Sequence, residues 1–235
     1  MFLEIRELSV FYKQAKAITS VSLKVNEGEI VAVVGANGAG KTTLLRAISG
    51  LKKSVSGEIW FKSVRIDRKP ANEITKMGII QIPANREIFS EMSVLDNLKV
   101  GAYLRKDRKK VKHDLEAIFS YFPVLEDKQK HIGGSLSGGQ QQMLAIARGL
   151  MANPGLLMMD EPSIGLSPVL TKQIEKIISD INQRGISIIL IEQNCRMALK
   201  LSNRGYILEN GSLTLSGDSN DLINNEFVKK AYLGW

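Results

Sequence analysis

Eight residues that follow an apolar run have the types and spacing of a phosphate-binding loop. Residues 35–42 read Gly-Ala-Asn-Gly-Ala-Gly-Lys-Thr and match the pattern G-x-x-x-x-G-K-[ST], in which glycines let backbone amides surround phosphate oxygens. Lys41 would bring a positive charge to the β- and γ-phosphates, and the hydroxyl of Thr42 would coordinate Mg²⁺. The predicted nucleotide contacts in this loop are Gly35, Asn37, Gly38, Ala39, Gly40, Lys41, Thr42 and Thr43.

Two acids lie at the end of a second apolar run, residues 156–159. Ligand sites in parallel α/β sheets lie at the carboxyl ends of strands, where Asp160 and Glu161 fall. We predict that Asp160 holds Mg²⁺ through water and that Glu161 orients or deprotonates an attacking water. Strands often end in acids at solvent, so the pair is informative only together with the phosphate loop. The two motifs together predict ATP hydrolysis.

A third motif, Leu-Ser-Gly-Gly-Gln at residues 136–140, begins a helical pattern. Ser137 is a good N-cap, and the glycines at 138 and 139 leave backbone amides uncovered. The N-terminus of a helix attracts phosphate, so Ser137, Gly138, Gly139 and Gln140 are predicted to contact a nucleotide. An ordinary capped helix is the alternative.

The elements that must position these motifs can be read from hydrophobic patterns. The β-branched run at residues 30–34 predicts a strand buried on both faces, and residues 42–48 predict a helix, so the loop has the strand–loop–helix context of a P-loop. Residues 186–191 predict another buried strand, and Asn-Gly at 210–211 predicts a hairpin. Residues 2–5 and 21–25 alternate as half-buried strands do.

Residues from about 92 to 130 differ from the rest of the chain because they are rich in charge and helical in period. Leu115, Ile118, Phe119 and Phe122 form one apolar stripe. Within this segment the basic residues 105–110 predict a solvated helix face. A surface close to lipid head groups and a nucleic-acid surface are the alternatives suggested by the net charge of +8. No aromatic residues interleave with the basic ones, so nucleic acid is the weakest of the three.

Length, cysteine content and the longest apolar runs limit the class of protein to which the chain can belong. The chain has 235 residues and a single cysteine, Cys195, which excludes an internal disulfide framework. No apolar run approaches the length of a bilayer span, and the first residues lack the pattern of a secretory signal. We therefore expect a cytoplasmic protein.

The phosphate loop together with residues 136–140 resembles the ABC-type ATPases. The resemblance implies an α/β fold with a P-loop (RecA-like) core at residues 1–90 and 151–235, an N-terminal antiparallel β part and an inserted helical subdomain at about 91–150. It implies ATP and Mg²⁺ as cofactors, catalytic roles for Lys41, Glu161 and Gln193, and stacking of adenine on Tyr12. It also implies a head-to-tail dimer in which residues 137–140 of one cassette close over the ATP of the other.

Three further stretches are similar to the ATP-binding subunits of branched-chain amino acid importers: residues 161–168, residues 191–194 together with 198–199, and residues 231–234. This closer resemblance implies two membrane-spanning permease subunits, a second ATPase subunit that is identical or different, and an extracytoplasmic solute-binding protein reached through the complex. It places the chain at the cytoplasmic face of the membrane, with no nucleic acid as partner.

Two positions depart from the common ABC pattern. Gln193 replaces the switch histidine, and it can hydrogen-bond a phosphate but cannot supply a titrating proton. Gln at this position is itself usual in the importer subfamily. Residues 82–89 match a loop that normally carries Gln or Glu after its proline, here Pro83, but Ala84 stands at that position. Gln81 and Glu87 lie three residues to either side of it. We expect a neighbouring residue or a water to replace the missing oxygen, and a weakened link between ATP and the membrane partner is the alternative.

Three other functions stay open from the sequence. The chain could serve a urea, amide or other small-solute transporter, because a cassette does not touch the solute. It could be an ABC ATPase that acts on nucleic acid, which the positive charge suggests. It could also be a nucleotide-gated binding subunit with little turnover of its own, which Ala84 and Gln193 suggest.

Overall fold

A computed structural model describes residues 2–13, 15–53 and 56–233, with the side chain of Leu233 left out. The strands are β1 Leu3–Tyr12, β2 Ala15–Val25, β3 Ile30–Val34, β4 Ser56–Phe61, β5 Val64–Arg65, β6 Ile79–Ile82, β7 Leu156–Asp160, β8 Ser187–Glu192, β9 Arg204–Glu209 and β10 Ser212–Asp218. The helices are α1 Lys41–Ile48, α2 Ala71–Lys76, α3 Val94–Gly101, α4 Arg108–Tyr121, α5 Pro123–Asp127, α6 Gly138–Met151, α7 Pro168–Gln183, α8 Cys195–Leu201, α9 Ser219–Asn224 and α10 Glu226–Val228. A 3₁₀ turn covers Gly133–Ser135, and a π turn covers Lys229–Leu233.

The central sheet has six strands in the order β10-β9-β3-β8-β7-β6. All of them run parallel except β10, which pairs antiparallel with β9. The predicted strand at residues 30–34 is confirmed as β3, and it is fully buried because helices or a second sheet cover both of its faces. Ile30, Ala32 and Val34 face the core shared with α3 and α6–α8, whereas Val31 and Val33 face the core shared with α1 and the second sheet.

The second sheet is antiparallel, with the strand order β2-β1-β4-β5, and confirms the predicted N-terminal β part. The strand predicted at residues 21–25 is longer than expected and begins at Ala15. Apolar and polar residues do not alternate regularly in the first half of β2, because β1 and β2 pair through several bulges that change the face to which a side chain points.

The predicted helical segment contains α3, α4 and α5, and α6 follows it. Ile118, Phe119 and Phe122 of the predicted stripe are buried, while Leu115 is half-buried. Helices α3 and α6 approach so closely that a Cβ added to Gly101 would overlap the carbonyl oxygen of Arg148. The division into a core and a helical subdomain remains our prediction.

The helix α7 confirms the pattern of buried isoleucines at 174, 177, 178 and 181, and the chain leaves it through Gly185 at φ +89°. The prediction of a solvated face is wrong for Arg105. That residue precedes α4, and its side chain, 10% exposed, forms ion pairs with Asp107 and Asp114. Within the described ranges, no helix is long and apolar enough to span a membrane. Gly234, part of the C-terminal resemblance, lies outside the described residues.

Candidate functional site

The glycine-rich loop lies between β3 and α1, at the carboxyl edge of the central sheet. Gly38 and Gly40 have φ of +80° and +106°, a left-handed conformation that favours glycine. Gly35 is needed for a different reason, because a Cβ at this position would overlap the carbonyl oxygen of Leu208. The backbone amide of Gly211, at the tip of the β9–β10 hairpin, donates a 2.9 Å hydrogen bond to the carbonyl of Ala39. The tip of the β9–β10 hairpin therefore holds the glycine-rich loop in place through this hydrogen bond.

This close approach predicts that Gly35→Ala lowers the free energy of unfolding by about 3 kcal/mol, because the methyl group must displace either the loop or β9. Gly217→Ala is the matched control, since the space around Gly217 is open and its φ is not positive. The control should change stability by about 0.5 kcal/mol or less. Urea unfolding curves of the two variants would test the prediction, and equal midpoints would contradict it.

Lys41, Glu161 and Gln193 meet at this edge. The ammonium of Lys41 is buried and donates to the carbonyls of Gly35 at 2.8 Å and Ala36 at 3.0 Å. It also lies 3.4 Å from Oε1 of Glu161, whose other oxygen accepts a 2.7 Å hydrogen bond from the amide of Gln193. In the free chain the lysine thus has carbonyl and carboxylate partners where phosphate oxygens could replace them.

Asp160 and Thr42 have the properties of a Mg²⁺ site. Asp160 is 2% exposed, and within the described residues its Oδ1 has no hydrogen-bond partner. Burial raises the pKa of its carboxyl, and the neighbouring Thr42 hydroxyl offsets part of that effect. An orphaned carboxylate oxygen beside a hydroxyl is a donor set that suits a hard cation. The chemistry of these two side chains therefore fits Mg²⁺.

We expect Asp160→Asn to stabilise the nucleotide-free chain at pH 7, because the amide carries no charge to bury. A carboxyl with a raised pKa favours the native state at low pH and disfavours it once the pH rises through that pKa. The gain should therefore shrink as the pH approaches 4. Thermal melts of this variant and of Asp127→Asn, an exposed control, would measure it. A melting temperature unchanged or lowered at pH 7 would contradict it.

The backbone around Glu161 is unusual. Glu161 has φ +49°, rare for a residue with a side chain, and its amide donates to the carbonyl of Ile191 at 2.9 Å. The next loop is anchored by Glu192, whose buried carboxylate accepts the Ser163 amide at 3.0 Å. Burial raises the pKa of Glu192. Strained backbone of this kind occurs at sites where a side chain must be held in one direction.

Tyr12 lies in a cleft of about 520 Å³ that also contains Thr42, Arg46 and Asp160. The ammonium of Lys52 sits 4.3 Å from the centre of the Tyr12 ring. Burial acts to raise the pKa of the phenol, but the Thr43 hydroxyl and the charges of Arg46 and Lys52 lower it overall. The cleft therefore joins the phosphate loop to an aromatic ring with two cations beside it.

Ala84 also lines this cleft, together with Gln81 and Glu87. The two neighbours differ in how their side chains are engaged. The amide oxygen of Gln81 accepts a 2.8 Å hydrogen bond from the Ser49 hydroxyl, at the far end of α1. Glu87 is exposed. The replacement of the missing oxygen by a neighbouring residue or by a water therefore stays a prediction.

Residues 137–140 lie elsewhere. Ser137 caps α6 in a reciprocal capping box with Gln140, and Lys128 donates to the side-chain oxygen of Gln140 at 3.1 Å. A Cβ on Gly139 would come within 2.5 Å of Leu170. None of these residues lines the cleft that contains Tyr12 and Asp160. The structure thus brings together all the predicted residues around the phosphate loop but leaves the start of α6 apart from them.

Several residues at this edge were not predicted from sequence. Arg46 was detectable, because it lies four residues after Thr42 and so on the same face of α1. Glu192 was detectable as an acid at the end of a buried strand. Lys52 carries no such signal.

The family model described as ABC transporter matches residues 18–164. The chain is 39% identical to BraG of Pseudomonas aeruginosa, a high-affinity branched-chain amino acid transport ATP-binding protein, over 97% of both chains. It is 35% identical to LivF of Archaeoglobus fulgidus, a probable branched-chain amino acid transport ATP-binding protein, also over 97% of both chains. It is 34% identical to LptB of Haemophilus influenzae, a lipopolysaccharide export system ATP-binding protein, over 97% of this chain and 95% of that one.

The fold is similar to that of solved ATP-binding cassettes. A nucleotide-free cassette from an ABC transporter superposes with a TM-score of 0.85 at 26% identity, over 100% of this chain and 99% of that one. A cassette in its ADP conformation superposes with the same score, identity and coverage.

Proposed function

This chain belongs to the ABC transporter family as an ATP-hydrolysing subunit, and from that premise we propose that it energises the uptake of branched-chain amino acids. One observation carries the choice of solute: BraG, named for that transport, is 39% identical over nearly the whole of both chains. Similarity of this extent favours a shared role in the same kind of complex.

A second candidate is lipopolysaccharide export. LptB is 34% identical over a similar length, only slightly less than LivF at 35%. The nucleotide machinery does not contact the transported molecule, so it would be the same for both functions. The membrane partners must decide between them.

In the proposed mechanism the P-loop amides and Lys41 hold the β- and γ-phosphates, and Tyr12 stacks on adenine. Thr42 and Asp160 would hold Mg²⁺, which neutralises charge that develops on the phosphates. Glu161 orients the attacking water and takes up its proton, while Gln193 holds the carboxylate in place through the bond seen in the free chain. Residues 137–140 of a second cassette complete the site.

The separation of α6 from the cleft supports the dimer. In the described part of the chain, the amides of Gly138 and Gly139 in the first turn of α6 have no hydrogen-bond partner, whereas that of Gln140 is capped by Ser137. These residues do not line the chain's own nucleotide cleft, so the two amides are available to the nucleotide of another cassette. In a head-to-tail pair, the start of α6 in each cassette would contact the nucleotide held by the other cassette. The second cassette can be identical or different.

A groove of about 760 Å³ would receive the permease at the cytoplasmic face of the membrane. Its lining includes Phe89, Val100 and Leu104, three apolar side chains that are each more than a third exposed. Exposed apolar residues in one concave patch are typical of a protein interface.

We expect Leu104→Asp to release the permease subunits while nucleotide affinity stays within about twofold, because a charge in an apolar interface is left without a partner. Val64→Asp, an exposed apolar residue on β5, is the control for adding charge. Purification of each tagged variant from gently solubilised membranes, followed by mass spectrometry, would test this. Equal recovery of the permease with both variants would contradict it.

The same purification of the unaltered chain tests the proposed function. We expect two polytopic membrane proteins and a second cassette, and we expect deletion of the chain to abolish uptake of labelled leucine but not of urea. Co-purification with an outer-membrane lipid export assembly would favour the second candidate. Recovery with RNA or ribosomal proteins would refute both.

A further inference from the structure

One arginine extends from the wall of the nucleotide cleft to the start of α6. Pro83, Ala84 and Asn85 line the cleft, and the amide of Arg86 closes this turn with a 3.0 Å hydrogen bond to the carbonyl of Pro83. The side chain of Arg86 does not line the cleft. It reaches across to α6 instead.

The guanidinium of Arg86 lies against the first glycine of α6. A Cβ added to Gly138 would lie 3.1 Å from Nη1 and 3.3 Å from Nη2. Nη1 donates one long hydrogen bond, 3.4 Å, to the side-chain oxygen of Gln141. In the part of the chain that the structure describes, no carboxylate lies within 4 Å of this guanidinium. Arg86 is thus a half-buried cation with a single weak partner.

Two positive groups therefore face the same space. The N-terminus of a helix carries about half a positive charge, and anions are stabilised there whereas cations are not. A guanidinium beside the free amides at the start of α6 is consequently unfavourable until an anion lies between them. Arginine is also the side chain best suited to bind phosphate through two parallel N–H bonds.

We propose that Arg86 contacts the terminal phosphate of the ATP held by the partner cassette, together with the amides of residues 138 and 139. The proposal rests on the head-to-tail dimer of the proposed function. The ATP bound by the chain's own P-loop is not the target, because Arg86 is absent from the lining of that cleft. Arg86 would make closure of the dimer depend on the presence of the terminal phosphate.

The first test uses chains arrested by Glu161→Gln and measures ATP-dependent dimerisation by sedimentation. Adding Arg86→Ala should weaken the dimer about 10- to 100-fold, the loss expected for charge-assisted bonds. Arg86→Lys should retain part of the affinity because it keeps the charge. Gln141→Ala should weaken the dimer little, since it removes the long hydrogen bond from Arg86 and a 3.2 Å bond from Gln141 to the carbonyl of Leu136, but no contact with phosphate. Arg68→Ala, which removes an exposed arginine, is the matched control.

A merely structural tie between Arg86 and α6 would give a different result. In that case Gln141→Ala and Arg86→Lys would both be as harmful as Arg86→Ala, and the proposal would be overturned. Binding of a fluorescent ATP analogue to the monomer shows whether each variant is folded. If the arrested parent chain stays monomeric with ATP, both alone and when mixed with the second cassette recovered with it, the dimer of the proposed function fails and this inference fails with it. If the parent dimerises and Arg86→Ala has no effect, only this inference fails.

A second test shows which ATP is contacted. The first pair combines two differently tagged arrested chains, one with Lys41→Ala and the other with Arg86→Ala. If Arg86 acts on the partner's ATP, this pair has one site in which both Lys41 and Arg86 are intact. The second pair combines a chain that carries both changes with the arrested parent. Under the same assumption, neither site of this pair has both residues intact. The first pair should therefore be captured more strongly than the second in a pull-down with ATP. The opposite order would place Arg86 at its own nucleotide and overturn the proposal.

Discussion

Replacing Glu161 with Gln is expected to lower the rate of ATP hydrolysis about 10²- to 10⁴-fold, the range for loss of a general base. The amide has the shape of the carboxylate but cannot accept a proton from water. Glu161 sits at the carboxyl edge of the central sheet, with Lys41 at 3.4 Å and the Gln193 amide at 2.7 Å. Nucleotide affinity should change little, because the P-loop contacts remain. Phosphate release under single-turnover conditions would measure the loss.

Glu192→Gln is the matched control for this experiment. Glu192 ends the neighbouring strand and is also buried, but its carboxylate accepts the Ser163 amide rather than facing the phosphate loop. A glutamine oxygen can accept the same bond, so the rate should fall less than about tenfold. An unchanged rate in the Glu161→Gln variant of the assembled complex would instead indicate a nucleotide-gated binding subunit, with turnover supplied by the other cassette.

Lys41→Ala should reduce the affinity for ATP about 10- to 100-fold, since each hydrogen bond from a charged group to phosphate contributes about 1.5–3 kcal/mol. The lysine is 5% exposed, and its ammonium donates to the carbonyls of Gly35 and Ala36 in the loop itself. Its removal also leaves Glu161 with Gln193 as its remaining described partner. Titration with a fluorescent ATP analogue would report the change.

Lys52→Ala provides the comparison at the opposite end of the cleft. This lysine lies over the ring of Tyr12 at 4.3 Å, and exposed cation–π contacts contribute about 0.5–1 kcal/mol. Its loss should alter ATP affinity about fivefold at most. Equal losses for the two lysines would contradict the assignment of the phosphates to the Lys41 end.

Local chemistry explains which parts of the structure were predictable. The β-branched run of β3, the isoleucine stripe of α7 and the Asn-Gly turn at 210–211 each depend on neighbours within a few residues. The sequence pattern therefore contains the information that the fold uses. The candidate site was predictable for a related reason. P-loop residues and acids at strand ends lie at the same edge of a parallel sheet, because the carboxyl ends of the strands meet there.

Contacts between distant segments were not predictable in this way. The stacking of Lys52 on Tyr12 and the approach of Arg86 to Gly138 depend on how two elements pack, and no periodicity encodes that. The first half of β2 was not predictable either, because bulges shift its pairing with β1. The ion pairs of Arg105 are a further case, because a run of basic residues does not reveal which member turns inward.

The hairpin tip behind the phosphate loop has a practical consequence. Tips of β-hairpins are ordinarily good places to insert an epitope or a fluorescent protein. This tip differs, because the carbonyl of Gly211 accepts the Thr19 amide at 2.7 Å while the amide of Gly211 binds Ala39. An insertion between Asn210 and Gly211 would separate β2 from the loop that holds ATP.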